Sequence, residues 1–152
     1  MSNRVCLIGH RRINTIEVSP LLESAIKEEL DNGCRFFTMG THGDFDKLAL
    51  SICRKLKQQY PDMIIEVVLT SLNKLNQKID GEIYHQYEDV QTIMYDIENF
   101  HFKQQITESN KQMIKSCDTM ICYVNLKNTY SGAKYAYNYA KKSKLEIINL
   151  YK

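Results

Sequence analysis

Short, unbroken apolar runs separated by stretches of helical periodicity limit this chain to few folds. Residues 4–8 read RVCLI, residues 34–38 CRFFT, residues 63–69 MIIEVVL, residues 119–124 TMICYV and residues 145–150 LEIINL. Runs of this length with little polar alternation suit strands buried on both faces. Between the first two, Leu22, Ile26 and Leu30 recur at four-residue steps. Ser19 and Pro20 ahead of them read as an N-cap and first-turn proline, and Gly33 closes the segment. Leu48, Ile52 and Leu56 mark a second helix, running from Phe45 and ending before Pro61. Ala133, Ala136, Tyr137 and Ala140 line the last one, whose small residues let it lie close to a sheet. Lys141, Lys142 and Lys144 suit the negative end of its dipole. Strands alternating with helices pair in parallel through right-handed crossovers. The expected architecture is α/β: a Rossmann-like three-layer sandwich with a mainly parallel five-stranded sheet in the order 3-2-1-4-5, folded as one domain over residues 1–152.

Residues 71–105 are polar and rich in tyrosine. Asp80-Gly81 reads there as a turn, and Val90, Ile93, Met94 and Ile97 as one face of a helix. Thr107 is expected to cap the next helix, which carries Ile114 and Cys117.

A net charge of +2 is too small to imply by itself a nucleic-acid groove, which needs lysines and arginines clustered on one face, so small ligands are favoured as partners over nucleic acid. The five cysteines fall inside strand-like or helix-like segments without Cys-x-x-Cys spacing, which fits reduced thiols in a cytoplasmic protein. With the four histidines scattered as well, no metal site is expected, and nothing calls for a cofactor. No apolar run approaches the ~20 residues of a membrane span. The sequence is compatible with a monomer or a homo-oligomer.

In the order 3-2-1-4-5, the strands beginning at Arg4 and Thr119 are neighbours whose connections leave on opposite sides, so a crevice opens at their carboxyl ends. Three loops should converge on it: Gly9-His10-Arg11-Arg12, Gly40-Thr41-His42-Gly43-Asp44 and Tyr130-Ser131-Gly132-Ala133. The second and third open helices, whose unpaired N–H groups and positive dipole ends attract phosphate or carboxylate. Glycine at these positions lets a ligand approach the backbone. None of the loops carries GxGxxG or a P-loop ending, so neither a nicotinamide nor an ATPase site is indicated. Arg11 is the better placed of the two arginines for a phosphate. Asp44 either caps the helix that follows or accepts hydrogen bonds from ribose hydroxyls, and Tyr130 is positioned to stack on a base. His42 could serve in acid/base chemistry, although a loop histidine is more often a hydrogen-bonding group.

The pieces VCLIGHRRI, FFTMGTHGDFDKLAL, ITESNKQMIKSCDTMICYV and YSGAKYAYNYA, in this order, resemble the SLOG superfamily (SMF/DprA and LOG), in particular its small YpsA-like members. The resemblance implies a Rossmann-like fold with a site for a nucleotide derivative at Gly9, Arg11, Gly40, Gly43, Asp44, Ser131 and Gly132. Asn110 matches a family asparagine near that crevice. LOG proteins are phosphoribohydrolases whose PGGxGTxxE signature supplies a catalytic glutamate. The corresponding YSGAKYAYNYA has one glycine and no glutamate or proline, so binding or sensing of an AMP- or ADP-ribose-like nucleotide is expected ahead of N-glycosidic hydrolysis. Hydrolysis would fall to a carboxylate such as Asp44 or Asp46. DprA-like members bind single-stranded DNA, but a strand-tracking groove needs basic side chains and stacking platforms together, and only Arg11-Arg12 and the tail lysines are clustered here.

Overall fold

The structure is a computed structural model that describes residues 3–70, 76–79, 82–128 and 131–152. Along the chain it runs β1 (Arg4–Gly9), α1 (Thr15–Asp31), β2 (Phe36–Met39), α2 (Asp44–Lys57) and β3 (Ile64–Val68). The hairpin strands β4 (Asn76–Ile79) and β5 (Glu82–His85) follow, then β6 (Gln91–Ile93), α3 (Phe102–Lys115), β7 (Thr119–Tyr123), α4 (Gly132–Lys142) and β8 (Glu146–Asn149). The main sheet is parallel in every pairing and has the order β6-β3-β2-β1-β7-β8.

The five expected strands keep their expected relative order, but a sixth is added at the edge. Residues 91–93 form a strand in place of the helical face read through Val90, Ile93, Met94 and Ile97. Glu66, Val67 and Val68 offer β3's free side to Gln91, Thr92 and Ile93. That pairing, together with the β-branched Thr92 and Ile93, outweighs a helical spacing too short to nucleate a helix. The Asp80-Gly81 turn signal lies outside the described residues, and the strands flanking it pair antiparallel.

Side chains alternate across β1 and divide the core in two. Val5 and Leu7 meet Val18, Leu22, Ile26 and Leu30 of α1 and Phe45, Ala49, Ile52 and Leu56 of α2. Cys6 and Ile8 face the other way, toward Met113 and Ile114 of α3 and Ala133, Ala136 and Ala140 of α4. This is the three-layer arrangement. A polar pair is buried within it, where Thr38 Oγ1 donates to Glu66 Oε1 at 3.0 Å across registered strands. All five cysteines are buried free thiols.

Helix ends depart from the sequence reading in informative ways. α1 begins at Thr15, with Asn14 as the N-cap accepting from Glu17 N–H at 3.2 Å, so Pro20 lies inside the helix instead of opening it. The early start is favoured by burial of Val18, and Pro20 is exposed, where its ring meets solvent. α3 likewise starts at Phe102, which leaves Thr107 inside it. At the far end of α1, Gly33 takes φ +98° while Cys34 N–H reaches Glu29 O and Gly33 N–H reaches Leu30 O. That double closure is a Schellman motif, the reason for glycine there.

Candidate functional site

β1 and β7 pair from Val5↔Thr119 to Gly9↔Tyr123, and the helices that follow them pack on opposite faces. Their carboxyl ends therefore frame an opening at the switch point of the sheet. The crevice there has a volume of about 220 Å³. Gly9 and Arg11 come to it from the end of β1, Gly40 and His42 from the end of β2, and Asp46 from the first turn of α2. Ile106 and Asn110 of α3 and Gly132 and Ala133 of α4 complete it. Seven of the residues singled out in the sequence, Gly9, Arg11, Gly40, His42, Asp46, Asn110 and Gly132, are thus brought into one cavity. Gly43 and Asp44 lie beside it and do not line it. Ser131 lines the two concavities that adjoin it, and Tyr130 falls outside the described residues.

The glycines have different physical reasons. A Cβ on Gly9 would stand 2.3 to 2.8 Å from the ring of buried Phe45, so that glycine lets the first helix turn of α2 close over β1. A Cβ on Gly43 would stand 2.6 Å from Arg11 Cα and 2.9 Å from Arg11 O, and Gly43 itself has φ +153°. Gly43 therefore holds the loop after β1, and with it Arg11, against the start of α2. Gly40 is adjacent to the Asp46 carboxylate, 3.1 Å from where its Cβ would be. Among the described residues, a Cβ on Gly132 would meet no atom within 4 Å beyond its chain neighbours and its own helix turn, and the position lines the cavity.

Of the two acidic residues in the first turn of α2, the structure places Asp46 in the crevice. Asp44 is turned to the neighbouring loop: its N–H donates to Arg11 O at 2.7 Å and its Oδ2 accepts from Ile13 N–H at 3.3 Å. The helix N-cap is Gly43, without a side-chain bond, so Asp44 does not cap. Asp46 Oδ2 accepts from His42 N–H at 2.8 Å. Burial pushes the Asp46 carboxyl up to about 6, against the opposing pull of the His42 amide and the Arg11 charge. The native state thus keeps a proton up to about pH 6 that the unfolded chain releases near ~4, and the native state is progressively penalised as pH rises through that window. Asp46→Asn keeps an acceptor oxygen for His42 N–H and does not ionise. We expect it to raise Tm at about pH 8 and to lose that advantage by about pH 4, as read by calorimetry at both pH values. An equal effect at the two would mean that ionisation is not involved.

Next to the crevice, His10 braces the start of α4. Asn125 N–H donates to His10 Nε2 at 2.8 Å, so the ring proton sits on Nδ1 and is given to Ser131 Oγ at 3.0 Å. Partial burial lowers the His10 pKa and favours this neutral form. Ser131 Oγ accepts also from Ala133 N–H at 3.1 Å and Lys134 N–H at 3.3 Å, which makes it the N-cap of α4. In this tautomer His10 turns no lone pair toward the hydroxyl and cannot take its proton, so the pair orients a helix start and is not an activated nucleophile. Asn149 stiffens the same end of the sheet, its amide exchanging two 3.0 Å bonds with Val124 N–H and C=O. His42 Nε2 lies 2.9 Å from Thr70 Oγ1, a tie to the end of β3. The sequence carried no signal for the Asn149 bridge, and it placed His10 in the loop after β1 without pointing to its bond to Ser131.

The fold and the crevice together define a Rossmann-like α/β architecture with a polar crevice at its switch point. The chain belongs to the YspA SLOG family, whose YpsA family model matches residues 7–151. No curated protein matches it. Among the described residues no helix is long and apolar enough to cross a membrane.

Proposed function

We propose that the crevice binds a nucleotide or nucleotide derivative, with phosphate between Arg11 and the N-terminus of α4 and the sugar directed to Asp46 and Asn110. The observation that carries this reading is the meeting of Arg11, Gly132 and Asp46 in one cavity. A guanidinium and a helix N-terminus attract a phosphate, and Gly132 leaves its backbone N–H open to approach. A carboxylate beside them would repel a bare anion, but it is a strong acceptor for hydroxyls. A ligand that presents a phosphate and a diol a few bonds apart satisfies both, and AMP- or ADP-ribose-like molecules do so. SLOG membership is consistent with that class, and the His10–Ser131 brace argues for recognition over covalent catalysis.

The test is thermal unfolding against a panel of nucleoside monophosphates and ADP-ribose. A ligand at ~100 Kd adds about 2.7 kcal/mol, a rise in Tm of roughly 5 to 10 °C for a domain of this size. If none of the panel moves Tm at millimolar concentration, the nucleotide reading fails.

The raised carboxyl of Asp46 favours one second reading, an N-glycosidase acting on a nucleoside monophosphate. A group near 6 can exchange a proton with a leaving base or an attacking water at neutral pH. Free base released by the parent protein and absent with Asp46→Asn would select that reading. Base release at the uncatalysed rate selects binding.

A further inference from the structure

The crevice is too small to hold a whole nucleotide. Its volume of about 220 Å³ lies under the roughly 300 Å³ at which ligand pockets begin, so it takes a phosphate and at most a sugar. The remainder of the ligand must extend into an adjoining concavity, and the two that adjoin differ in chemistry. One shares Arg11 with the crevice, measures about 410 Å³ and is walled by His10, Arg12, Asn14 and Asn125, with Tyr123 and Tyr151 packed edge-on against each other at 5.1 Å. Cations and amides of that kind suit a further phosphate or a hydroxylated sugar.

The other shares Gly132, measures about 790 Å³ and runs along α3 and α4. Phe100 and Tyr135 line it and are 40% and 48% exposed. Two aromatic rings left half in water along one concavity are ready platforms for a flat, apolar group. Tyr135 is also held in place: Lys111 Nζ sits 5.4 Å from its ring centroid and is itself paired with Glu108 at 3.3 Å. Gln104 and Asn138 of the same groove offer amides to the edge of a base.

We infer that the groove along α3 and α4 is a nucleobase subsite in which Tyr135 stacks on the base and Phe100 adds an apolar wall. The inference rests on the nucleotide reading above and narrows it. The ligand class becomes a 5′-nucleotide read through its base, as against a sugar phosphate read through its phosphate alone.

The experiment is calorimetric titration of the parent, Tyr135→Ala, Tyr135→Phe and Phe100→Ala with the four common nucleoside 5′-monophosphates and with ribose 5-phosphate. The parent should bind at least one nucleotide more tightly than ribose 5-phosphate. Tyr135→Ala should weaken that nucleotide about five- to hundredfold, the loss of one stacking partner, and leave ribose 5-phosphate unchanged. Tyr135→Phe should retain most of the affinity, and Phe100→Ala should lower it in the same selective way. A nucleotide that binds Tyr135→Ala and Phe100→Ala as tightly as the parent overturns the subsite and leaves the nucleotide reading intact. So does a parent that binds nucleotides and ribose 5-phosphate equally. If the parent binds none of these ligands, both the subsite and the nucleotide reading fall.

Discussion

Gly43→Val is expected to lose about 3 kcal/mol of stability or more, a fall in Tm of roughly 6 to 12 °C. The valine Cβ would lie 2.6 Å from Arg11 Cα, and a backbone atom cannot rotate away as a side chain can. The residue would also have to adopt φ +153°, a conformation open to glycine and costly for a β-branched residue. Relief requires the loop after β1 to move off the start of α2, which breaks the 2.7 Å bond from Asp44 N–H to Arg11 O. Any folded fraction should therefore bind ligand weakly as well, because Arg11 is displaced. A Tm equal to the parent's would show that the loop packs more loosely than these distances require.

Gly132→Val is expected to do the reverse, leaving Tm within about 2 °C of the parent while weakening nucleotide binding about a hundredfold, equivalent to ~2.7 kcal/mol. Among the described residues, no atom outside its chain neighbours and its own helix turn lies within 4 Å of the valine Cβ. Glycine is a poor helix residue, so the first turn of α4 loses nothing by the exchange. The valine methyls would instead occupy the approach to the helix N-terminus where the phosphate is proposed to sit. Titration calorimetry beside a thermal melt reads both effects, and unchanged affinity would move the phosphate elsewhere. These two glycines have the same appearance in the sequence, each beside a polar residue after a strand. Only the packing around them separates a glycine that lets backbones touch from one that leaves room.

The same distinction explains how far the sequence could be read. Buried parallel strands announce themselves as apolar runs, because both faces must be covered, and β1, β3 and β7 were legible for that reason. β6 was not: three residues on the sheet edge carry no two-sided apolar signal, and β3's free hydrogen-bonding side decides their conformation. Helix periodicity located the faces of α1 and α2 well, yet the true start of α1 depends on Asn14 and on the burial of Val18. The crevice was legible as a set of loops, since fold topology alone sends strand ends to the switch point. The choice between Asp44 and Asp46 was not, because two residues in one helical turn point roughly 200° apart and only the seating of α2 on the sheet selects one. The brace from His10 to Ser131 spans residues far apart in the chain and leaves no local pattern.

Glycine amides offer the most direct test of the proposed site, because they are few and spread across the chain. Protein labelled with 15N at its six glycines should be titrated with each nucleoside 5′-monophosphate and followed by proton–nitrogen correlation spectra. At least one nucleotide is expected to shift Gly9, Gly40 and Gly132, which line the crevice, with Gly132 moving most as its N–H meets the phosphate. Gly33, at the far end of α1, should stay where it is. Shifts at Gly33 with Gly9 and Gly132 unmoved, or no shift with any nucleotide at millimolar concentration, would contradict a nucleotide site in this crevice.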